Sequence, residues 1–183
     1  MYPHHLHTGR PFPKEVIACP RRDKQVIEVI ILKPEIVHDI EADITQLERQ
    51  RNLESPIITD GDYTVRRQID RALNQCVSRM QAYLLLPSPF VRSISTNHAG
   101  DWDEKNIFLA LPHNWPPHCI DPLRDAVHNY IVKSVEYNVL LAPLTNDPYT
   151  AMCRQEAEES YNEINALINS RLGPMNIHPS FLG

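Results

Sequence analysis

The sequence predicts a mainly α-helical fold, and three observations lead to that prediction. Apolar residues recur at helical spacing in four long segments of the chain. Strand-like stretches are short, and the whole chain contains only five glycines. We therefore expect an antiparallel helical bundle of about four helices, with a short β-hairpin insertion and extended N- and C-terminal arms.

Length and composition fit one domain with two arms. The chain has 183 residues, of which 42% are hydrophobic and 22% charged, as is usual for a folded domain. We assign residues 1–34 to an N-terminal arm with one strand, residues 35–173 to the helical domain and residues 174–183 to a C-terminal arm. An insertion loop at about residues 86–117 interrupts the helical domain.

The N-terminal arm is predicted from its prolines. Five of the sixteen prolines lie in residues 1–34, so we expect residues 1–25 to be extended and to become ordered against a partner. The segment Lys24–Lys33 is short and rich in β-branched residues, which predicts a strand that ends at Pro34. A lone strand needs a mate, either from a hairpin in this chain or from a neighbouring chain.

Two apolar stripes predict the first two helices. The first helix is expected at about residues 35–52, and the second begins at a cap provided by Asp60 or Asp62 and ends before Pro87. The stripe of the first helix comprises Ile36, Val37, Ile40, Ile44 and Leu47, and that of the second comprises Val65, Ile69, Ala72, Leu73, Cys76, Val77, Met80, Tyr83 and Leu84.

The insertion at residues 86–117 has no helical period. Phe90–Ser95 and Ile107–Leu111 are expected to pair as two strands. The polar stretch between them, which contains Trp102, is long for a hairpin turn and is expected to be a loop.

The start of the third helix is left open by the sequence. In one interpretation Asp121 is the cap and Pro122 occupies the first helical position, where its missing N–H costs nothing. In the other, the helix starts near Pro116 or His118 and Pro122 lies inside the first turns as a kink. In both cases the helix continues to Leu141.

The fourth helix is predicted between Asp147–Pro148 and Gly173–Pro174, because an Asp–Pro start and a Gly–Pro stop are strong boundary signals. The short connection from the third helix makes the two helices antiparallel neighbours. The polar face of the fourth helix is acidic, and its four glutamates are Glu156, Glu158, Glu159 and Glu163.

Charge is unevenly distributed along the chain. Residues 1–34 carry six basic and three acidic side chains, whereas the rest of the chain carries twelve basic and twenty acidic ones. Such an acidic body argues against tight binding of a phosphate backbone, because affinity for nucleic acid comes mainly from Lys and Arg. It suits a surface that DNA passes without sticking.

The sequence contains none of the common catalytic or phosphate-binding motifs, namely the nucleophile elbow, the P-loop, the dinucleotide fingerprint and the zinc-protease motif. The four cysteines lie at 19, 76, 119 and 153 without a C-x-x-C pair, and they are interpreted as structural. We therefore expect no enzyme activity and no cofactor. No apolar run approaches the roughly 20 residues that span a bilayer, and the first residues lack a secretory signal, so synthesis in the cytoplasm is expected.

Histidines provide the main alternative to this interpretation. The cluster His4, His5 and His7 is expected to bind metal only adventitiously, because an arm offers no fixed second shell. Residues between His98 and His128 offer further ligands, and a metal-dependent enzyme using this region is kept as a less favoured hypothesis.

In helix order, length and composition, residues 35–172 resemble the head–tail connector (adaptor) proteins of tailed bacteriophages. The stretches that carry the resemblance are a first helix at Asp60–Tyr83 (DGDYTVRRQIDRALNQCVSRMQAY), an insertion with a short hairpin, a proline-introduced helix at Leu111–Tyr137 (LPHNWPPHCIDPLRDAVHNYIVKSVEY) and a closing helix at Asp147–Arg171 (DPYTAMCRQEAEESYNEINALINSR). The N-terminal arm is longer and richer in proline than that of a minimal adaptor.

The resemblance implies a virion protein of the phage neck, made in the host cytoplasm. Its partners would be further copies of itself in a ring of commonly twelve, the portal protein above and a tail or stopper protein below, with DNA passing through without tight binding. The sequence adds candidate surfaces to this expectation. The glutamates of the fourth helix would line the channel, and the contacts with partners would come from Arg10, Arg21, Arg22, Lys24, Phe181 and Leu182 in the arms and from Trp102 and Trp115 in the insertion loop.

Two further alternatives remain open at this point. One is another phage assembly factor, such as a tail-completion or small-terminase-like subunit, although a terminase subunit should bind DNA. The other is a cellular helical interaction domain.

Overall fold

A computed structural model describes residues 24–53, 56–58, 63–85 and 103–172 of the chain. The predicted fold class is confirmed, since these residues form a mainly α structure with four helices and a short antiparallel pair of strands. In chain order the elements are β1 (Lys24–Leu32), α1 (Lys33–Arg51), α2 (Tyr63–Arg79), β2 (Glu104–Pro112), a short 3-10 helix (Pro117–Cys119), α3 (Ile120–Leu140) and α4 (Pro148–Ile168).

The strand predicted at Lys24–Lys33 is present as β1, and its mate is β2. The two strands are antiparallel, with Lys24 opposite Pro112 and Leu32 opposite Glu104. Residues alternate between the two faces of a strand, and in β1 the inward set is Ile27, Val29 and Ile31, all buried. This part of the N-terminal arm therefore belongs to the core of the domain.

The predicted pairing of Ile107–Leu111 with Phe90–Ser95 is corrected by the sheet. Residues 107–111 lie in β2 and pair with β1 on one edge. On the other edge, the Leu85 N–H donates to the Phe108 carbonyl at 2.9 Å and the Ala110 N–H donates to the Tyr83 carbonyl at 2.7 Å. Both edges of β2 are thus occupied at this point, and Phe90–Ser95 lies outside the described residues.

Helix α1 begins immediately after β1. Pro34 occupies its first turn, where a missing N–H is tolerated, and the helix ends at Asn52, whose φ of 51° is the left-handed conformation that stops helices. Its predicted apolar stripe, from Ile36 to Leu47, is buried except at Val37, which is half-buried. The prediction of a helix at about residues 35–52 is confirmed to within two residues.

Helix α2 is shorter than its apolar stripe suggests. The helix ends at Arg79, and Leu84 lies in a β-bridge with Leu109. The prediction that the stripe stays helical through Tyr83 and Leu84 is wrong because hydrogen bonding to β2 takes over the end of that segment. The predicted caps, Asp60 and Asp62, lie outside the described residues.

Helix α3 starts between the two positions that the sequence left open. Its N-cap is Cys119, which ends the 3-10 turn, and Asp121 and Pro122 lie inside the first turn. The interpretation in which Asp121 caps the helix with Pro122 at the first position is therefore wrong, and the one that places Pro122 inside the first turns agrees with the structure. Pro122 is accommodated because the first four N–H groups of a helix have no acceptor within it.

Helix α4 begins as predicted and ends earlier than predicted. Asp147 is its N-cap, and the Tyr149 N–H donates to the Asp147 side chain at 2.8 Å. The helix stops at Ile168 instead of Gly173, and the Leu172 N–H donates to the Asn114 carbonyl at 2.8 Å. The end of the described chain is thereby fixed beside the loop that follows β2.

The core forms around α3, which packs against α1, α2, α4 and β1. Helices α3 and α4 are antiparallel neighbours, as predicted from the short connection between them. Helix α1 runs in the same direction as α3, because Asp39 lies beside His128 and Asp43 lies beside Lys133. None of the helices in the described part of the chain is long and apolar enough to cross a membrane.

Candidate functional site

The four glutamates predicted to line a channel lie on α4, but they do not form one surface. Helical spacing places Glu156, Glu159 and Glu163 within one stripe, since they are three and four residues apart. Glu158 lies on the other flank of the helix, where its carboxylate is 3.3 Å from Arg154 Nε. The structure therefore divides the predicted acidic face into a three-residue stripe and a separate exposed ion pair.

The three glutamates of this stripe differ in their surroundings. Glu156 is half-buried, and one of its carboxylate oxygens is 3.8 Å from Lys133 Nζ, so part of its charge is compensated. Glu159 is exposed and accepts a hydrogen bond of 2.7 Å from the Gln155 side chain. Glu163 is exposed as well. We refer to Glu156, Glu159 and Glu163 as the acidic stripe of α4.

A partly buried ionic cluster connects α1, α3 and α4. Lys133 Nζ donates to Asp43 Oδ2 and to Glu136 Oε2, both at 2.9 Å. Glu136 Oε2 also accepts from the Tyr149 hydroxyl at 3.2 Å and from the Cys153 thiol at 3.3 Å. Three helices thus place polar groups around a single carboxylate.

Glu136 is the unusual member of this cluster. It is 0% exposed, and its second oxygen, Oε1, has no hydrogen-bond partner among the described residues. Burial raises the pKa of the Glu136 carboxyl to about 7, against the lowering effect of the Lys133 hydrogen bond and charge. A carboxyl group that is buried with one oxygen lacking a hydrogen bond favours the protonated form, because desolvation penalises the charged form.

The partners of Glu136 keep their protons at neutral pH. Burial lowers the pKa of Lys133, but its hydrogen bonds to Asp43 and Glu136 outweigh burial and the net shift is upward. Burial raises the pKa of the Cys153 thiol to about 12, and the nearby Glu136 charge adds to the shift. Burial raises the pKa of the Tyr149 hydroxyl too.

This cluster is suited to holding helices together and is poorly placed for chemistry on a substrate. Two open depressions lie on the outer face of α2 and in the α3–α4 connection at residues 142–148, and Glu136 lines neither of them. The Lys133 ammonium already lies between the carboxylates of Asp43 and Glu136, where a metal ion would need to bind. In the described part of the chain, no group of three or more His, Cys, Asp or Glu residues is arranged to hold a metal ion.

The histidines between residues 98 and 128 are not brought together where they are described. His113 and His118 are exposed, whereas His128 Nε2 lies 2.8 Å from Asp39 Oδ2 on α1. His128 therefore takes part in a pair between α1 and α3. His98 lies outside the described residues, as do His4, His5 and His7.

Trp115 was predicted as an insertion-loop contact for a partner, and the structure corrects this prediction. Its side chain is 1% exposed, and its indole N–H donates to the Leu167 carbonyl at 2.8 Å, near the end of α4. Its own carbonyl accepts from the Gln25 side chain at 2.8 Å. Trp115 is a core residue that joins β1 to α4, because an indole ring surrounded by apolar helices is stabilised by burial.

Of the arm residues predicted to contact partners, only Lys24 is described, and it is exposed at the start of β1. Trp102 and the remaining predicted arm contacts lie outside the described residues: Arg10, Arg21, Arg22, Phe181 and Leu182. Three of the four cysteines, Cys76, Cys119 and Cys153, are buried and free, as their interpretation as small apolar residues requires.

The ionic cluster was not predicted from the sequence, although the chain carries one local signal of it. Lys133 and Glu136 are three residues apart on a helix whose neighbouring positions, Val132 and Val135, are apolar and buried. Charged side chains at the border of an apolar stripe are uncommon unless they are paired. The spacing points to a pair on α3, but it does not reveal the contributions of α1 and α4.

Comparison of the chain with protein-family models, with curated proteins and with solved structures finds no match in any of the three.

Proposed function

We propose that this protein is a virion component of the neck of a tailed phage, a head–tail connector that forms a ring below the portal and offers the tail its attachment surface. The observation that carries the proposal is the construction of α4. One face of this helix packs against α3, and the two exposed glutamates of the acidic stripe, Glu159 and Glu163, lie away from that packing face. The order of the helices, with a strand inserted before the proline-introduced α3, also agrees with the resemblance to connectors.

The acidic stripe suits the wall of a DNA channel. Glu159 and Glu163 are exposed, and no described ion pair neutralises either of them. Carboxylates repel a phosphate backbone, so a ring lined by them lets DNA pass without holding it. In a ring of twelve copies each of these glutamates is repeated twelve times, which strengthens the negative electrostatic potential of the channel wall.

The contacts between copies of the chain, and those with portal and tail proteins, require surfaces other than the acidic stripe. A closed ring of identical copies needs a heterologous interface, in which one patch meets a different patch of the next copy. We assign the contacts with portal and with a tail or stopper protein to the arms and to the part of the insertion loop around Trp102, since Trp115 belongs to the core. Catalysis and a bound cofactor have no part in this proposal.

The test is the assembly state of the purified full chain, alone and mixed with a portal protein. Mass photometry and negative-stain electron microscopy should detect rings of uniform size, either spontaneously or on addition of portal. A monomer under all conditions, with no response to portal, would refute the proposal.

A gel-shift experiment with duplex DNA separates the connector from a small-terminase-like subunit. Phosphate contacts strengthen as salt falls, so a terminase-like protein should shift DNA at low salt. A connector should leave the DNA unshifted, because its acidic stripe repels the backbone. Salt-sensitive binding by the unassembled chain would favour the terminase-like alternative.

A further inference from the structure

The second edge of β1 carries a row of backbone groups without described partners. The Lys33 N–H donates to the Asp103 carbonyl at 2.9 Å in the same register as the sheet, which makes the odd-numbered residues of β1 the ones that hydrogen-bond to β2. The even-numbered residues Val26, Glu28 and Ile30 therefore direct their N–H and carbonyl groups to the other edge, whereas the carbonyl of Leu32, the N-cap of α1, is the first acceptor of that helix. Along that edge the structure describes no strand.

The same even-numbered residues expose apolar side chains. Val26 is 37%, Ile30 42% and Leu32 39% exposed, although all three are large and apolar. Natural proteins protect exposed strand edges with proline, bulges or short length, because such edges pair readily with other chains. Over its nine residues β1 has none of these features and only Lys24 and Glu28 as charges.

The two outer edges of the sheet differ in whether their backbone groups are hydrogen-bonded within the described chain. The outer edge of β2 is covered by residues 83–85, whose hydrogen bonds with Phe108 and Ala110 are formed within the chain. The edge of β1 is therefore the one at which the described sheet can grow by another strand.

We propose that the open edge of β1 accepts, as an added strand, residues Lys14–Cys19 (KEVIAC) of a neighbouring copy of this chain. The proposal rests on the ring proposed above and gives that ring its heterologous contact, because the donor segment and the acceptor edge are different parts of the surface. Strand addition of this kind takes its affinity from main-chain hydrogen bonds.

Length, charge and composition favour this donor segment. It contains four consecutive apolar residues, two of them β-branched. When Val16 lies opposite Val26 in an antiparallel arrangement, Lys14 lies opposite Glu28, and a cross-strand pair of opposite charge is stabilising. Every copy of the chain carries both this segment and β1. Each copy can therefore donate the segment to one neighbour and accept the segment of another neighbour at its own β1 edge.

The composition before β1 favours a neighbouring copy over the same chain as the source. Residues 10–23 contain no glycine or asparagine, the residues that tight hairpin turns use most, and their one aspartate, Asp23, directly precedes β1. They do contain three prolines, and a proline biases the residue before it towards extended backbone. This composition predicts a segment that continues away from its own β1.

The test is a disulfide between the two strands in the full-length chain. In a Cys19→Ser background, Val16→Cys and Val26→Cys are combined, and a matched control combines Val16→Cys with Ser78→Cys on the exposed face of α2. After mild oxidation, the first variant should shift on a non-reducing gel to dimers and higher covalent multimers. The control should remain monomeric, because disulfide geometry demands close Cβ positions.

Ring formation is followed separately by mass photometry, so that failure of the ring and failure of the strand contact are distinguishable. Rings that form without covalent multimers overturn the strand contact and leave the ring intact. An internal disulfide within single chains, or equal cross-linking of the control, overturns it as well. Covalent multimers without rings support the strand contact and count against the ring.

Amide hydrogen exchange provides a second readout that does not depend on cysteine geometry. In the assembled protein, the amides of Val26, Glu28 and Ile30 should be protected, and deletion of residues 1–19 should expose them. The amides of the odd-numbered residues Ile27 and Val29 should stay protected in both proteins. Fast exchange at the even-numbered positions of the assembled protein would overturn the inference.

Discussion

At the scale of single residues, Glu136 concentrates the unusual electrostatics of this protein. It is fully buried, one of its oxygens accepts three hydrogen bonds and the other accepts none from the described residues. Burying a charge is costly unless it is paired, and here the pairing comes from Lys133. The balance between these two effects makes the stability of the fold sensitive to pH and to substitution.

Replacement of Glu136 by Gln should remove one component of the pH dependence of stability. Burial raises the pKa of Glu136 from 4.5 to about 7, so its contribution to the free energy of unfolding is full below pH 4.5 and is lost as the pH rises through 7. The wild type should therefore lose about 3 kcal/mol of its free energy of unfolding, relative to Glu136→Gln, as the pH rises from acidic to mildly alkaline. Urea denaturation across that range measures the difference.

The matched control is Glu158→Gln, which changes an exposed carboxylate on α4. Because the ion pair of Glu158 with Arg154 is exposed, this variant should cost under about 1 kcal/mol at neutral pH. If the difference in the free energy of unfolding between Glu136→Gln and wild type stays constant across the pH range, the raised pKa of Glu136 is contradicted.

Replacement of Lys133 by Met should destabilise the fold by about 3 kcal/mol, because it leaves the Glu136 and Asp43 carboxylates without their shared cation. The double variant Lys133→Met/Glu136→Gln should lose less than the sum of the single variants, and a double-mutant cycle measures this coupling. Arg154→Met, which breaks an exposed pair with Glu158, should cost under about 1 kcal/mol. Additivity of the two cluster variants would show that Lys133 and Glu136 do not interact.

At the scale of secondary-structure elements, local signals account for a helix boundary where no distant segment competes for the same backbone groups. The N-terminus of α4 depends on Asp147, which is both the N-cap and the partner of Arg51, whose Nε lies 2.8 Å from Asp147 Oδ2. The end of α2 depends on hydrogen bonds with β2, which is distant in the chain. Caps act over a few residues, whereas strand pairing joins segments that the sequence keeps apart.

The two roles of Asp147 can be separated by substitution. Asp147→Asn keeps an acceptor for the Tyr149 N–H and loses the charge, whereas Asp147→Ala loses both. We expect Asp147→Ala to lower the Tm by roughly 2–4 °C and Asp147→Asn to lower it less. Arg51→Met, which removes only the ion pair, should match Asp147→Asn in thermal denaturation. Equal effects of Asp147→Ala and Arg51→Met would show that the cap contributes nothing measurable.

The register of β1 predicts opposite outcomes at adjacent positions. Val29 is 2% exposed and Ile30 is 42% exposed. Val29→Thr buries a hydroxyl in the apolar core and should destabilise by about 1–3 kcal/mol. Ile30→Thr should change the stability of the monomer by under about 0.5 kcal/mol, because it lies on the outward face. Chemical denaturation of both variants measures this, and a reversed order would contradict the register.

At the scale of the whole molecule, charge is separated between helices. Helix α2 carries four arginines and one aspartate, whereas α4 carries one arginine and four glutamates. Arg79 at the end of α2 lies over the Tyr161 ring on α4, with its guanidinium carbon 4.5 Å from the ring centroid, so it is used within the chain. An acidic stripe on one side of the bundle is compatible with a channel wall in an assembly.

Charge reversal tests the proposed channel directly. In Glu159→Lys/Glu163→Lys, the assembled ring should retain DNA, and retention should weaken as salt rises. Asp121→Lys/Asp125→Lys places the same charge change at exposed positions near the start of α3, and should leave passage of DNA unchanged. Filter binding across a salt series measures both variants. Equal retention by the two variants would show that net charge, and not the acidic stripe, controls the effect.

The sequence by itself determined the helices and their order, because helical periodicity and caps are local. The stripe from Ile36 to Leu47 is enough to predict α1, and the Asp147–Pro148 pair is enough to predict the start of α4. The acidity of α4 is also visible without a structure. These features depend on residues three to eight positions apart, where the chain has little freedom to choose otherwise.

Only the tertiary structure decided which distant segments meet. It paired β1 with β2, placed Trp115 in the core, and brought Lys133 and Glu136 between α1 and α4. It also divided the glutamates of α4 between a stripe and an ion pair. The physical reason is that each of these contacts depends on how elements far apart in the chain pack together, and residue spacing carries no information about that packing.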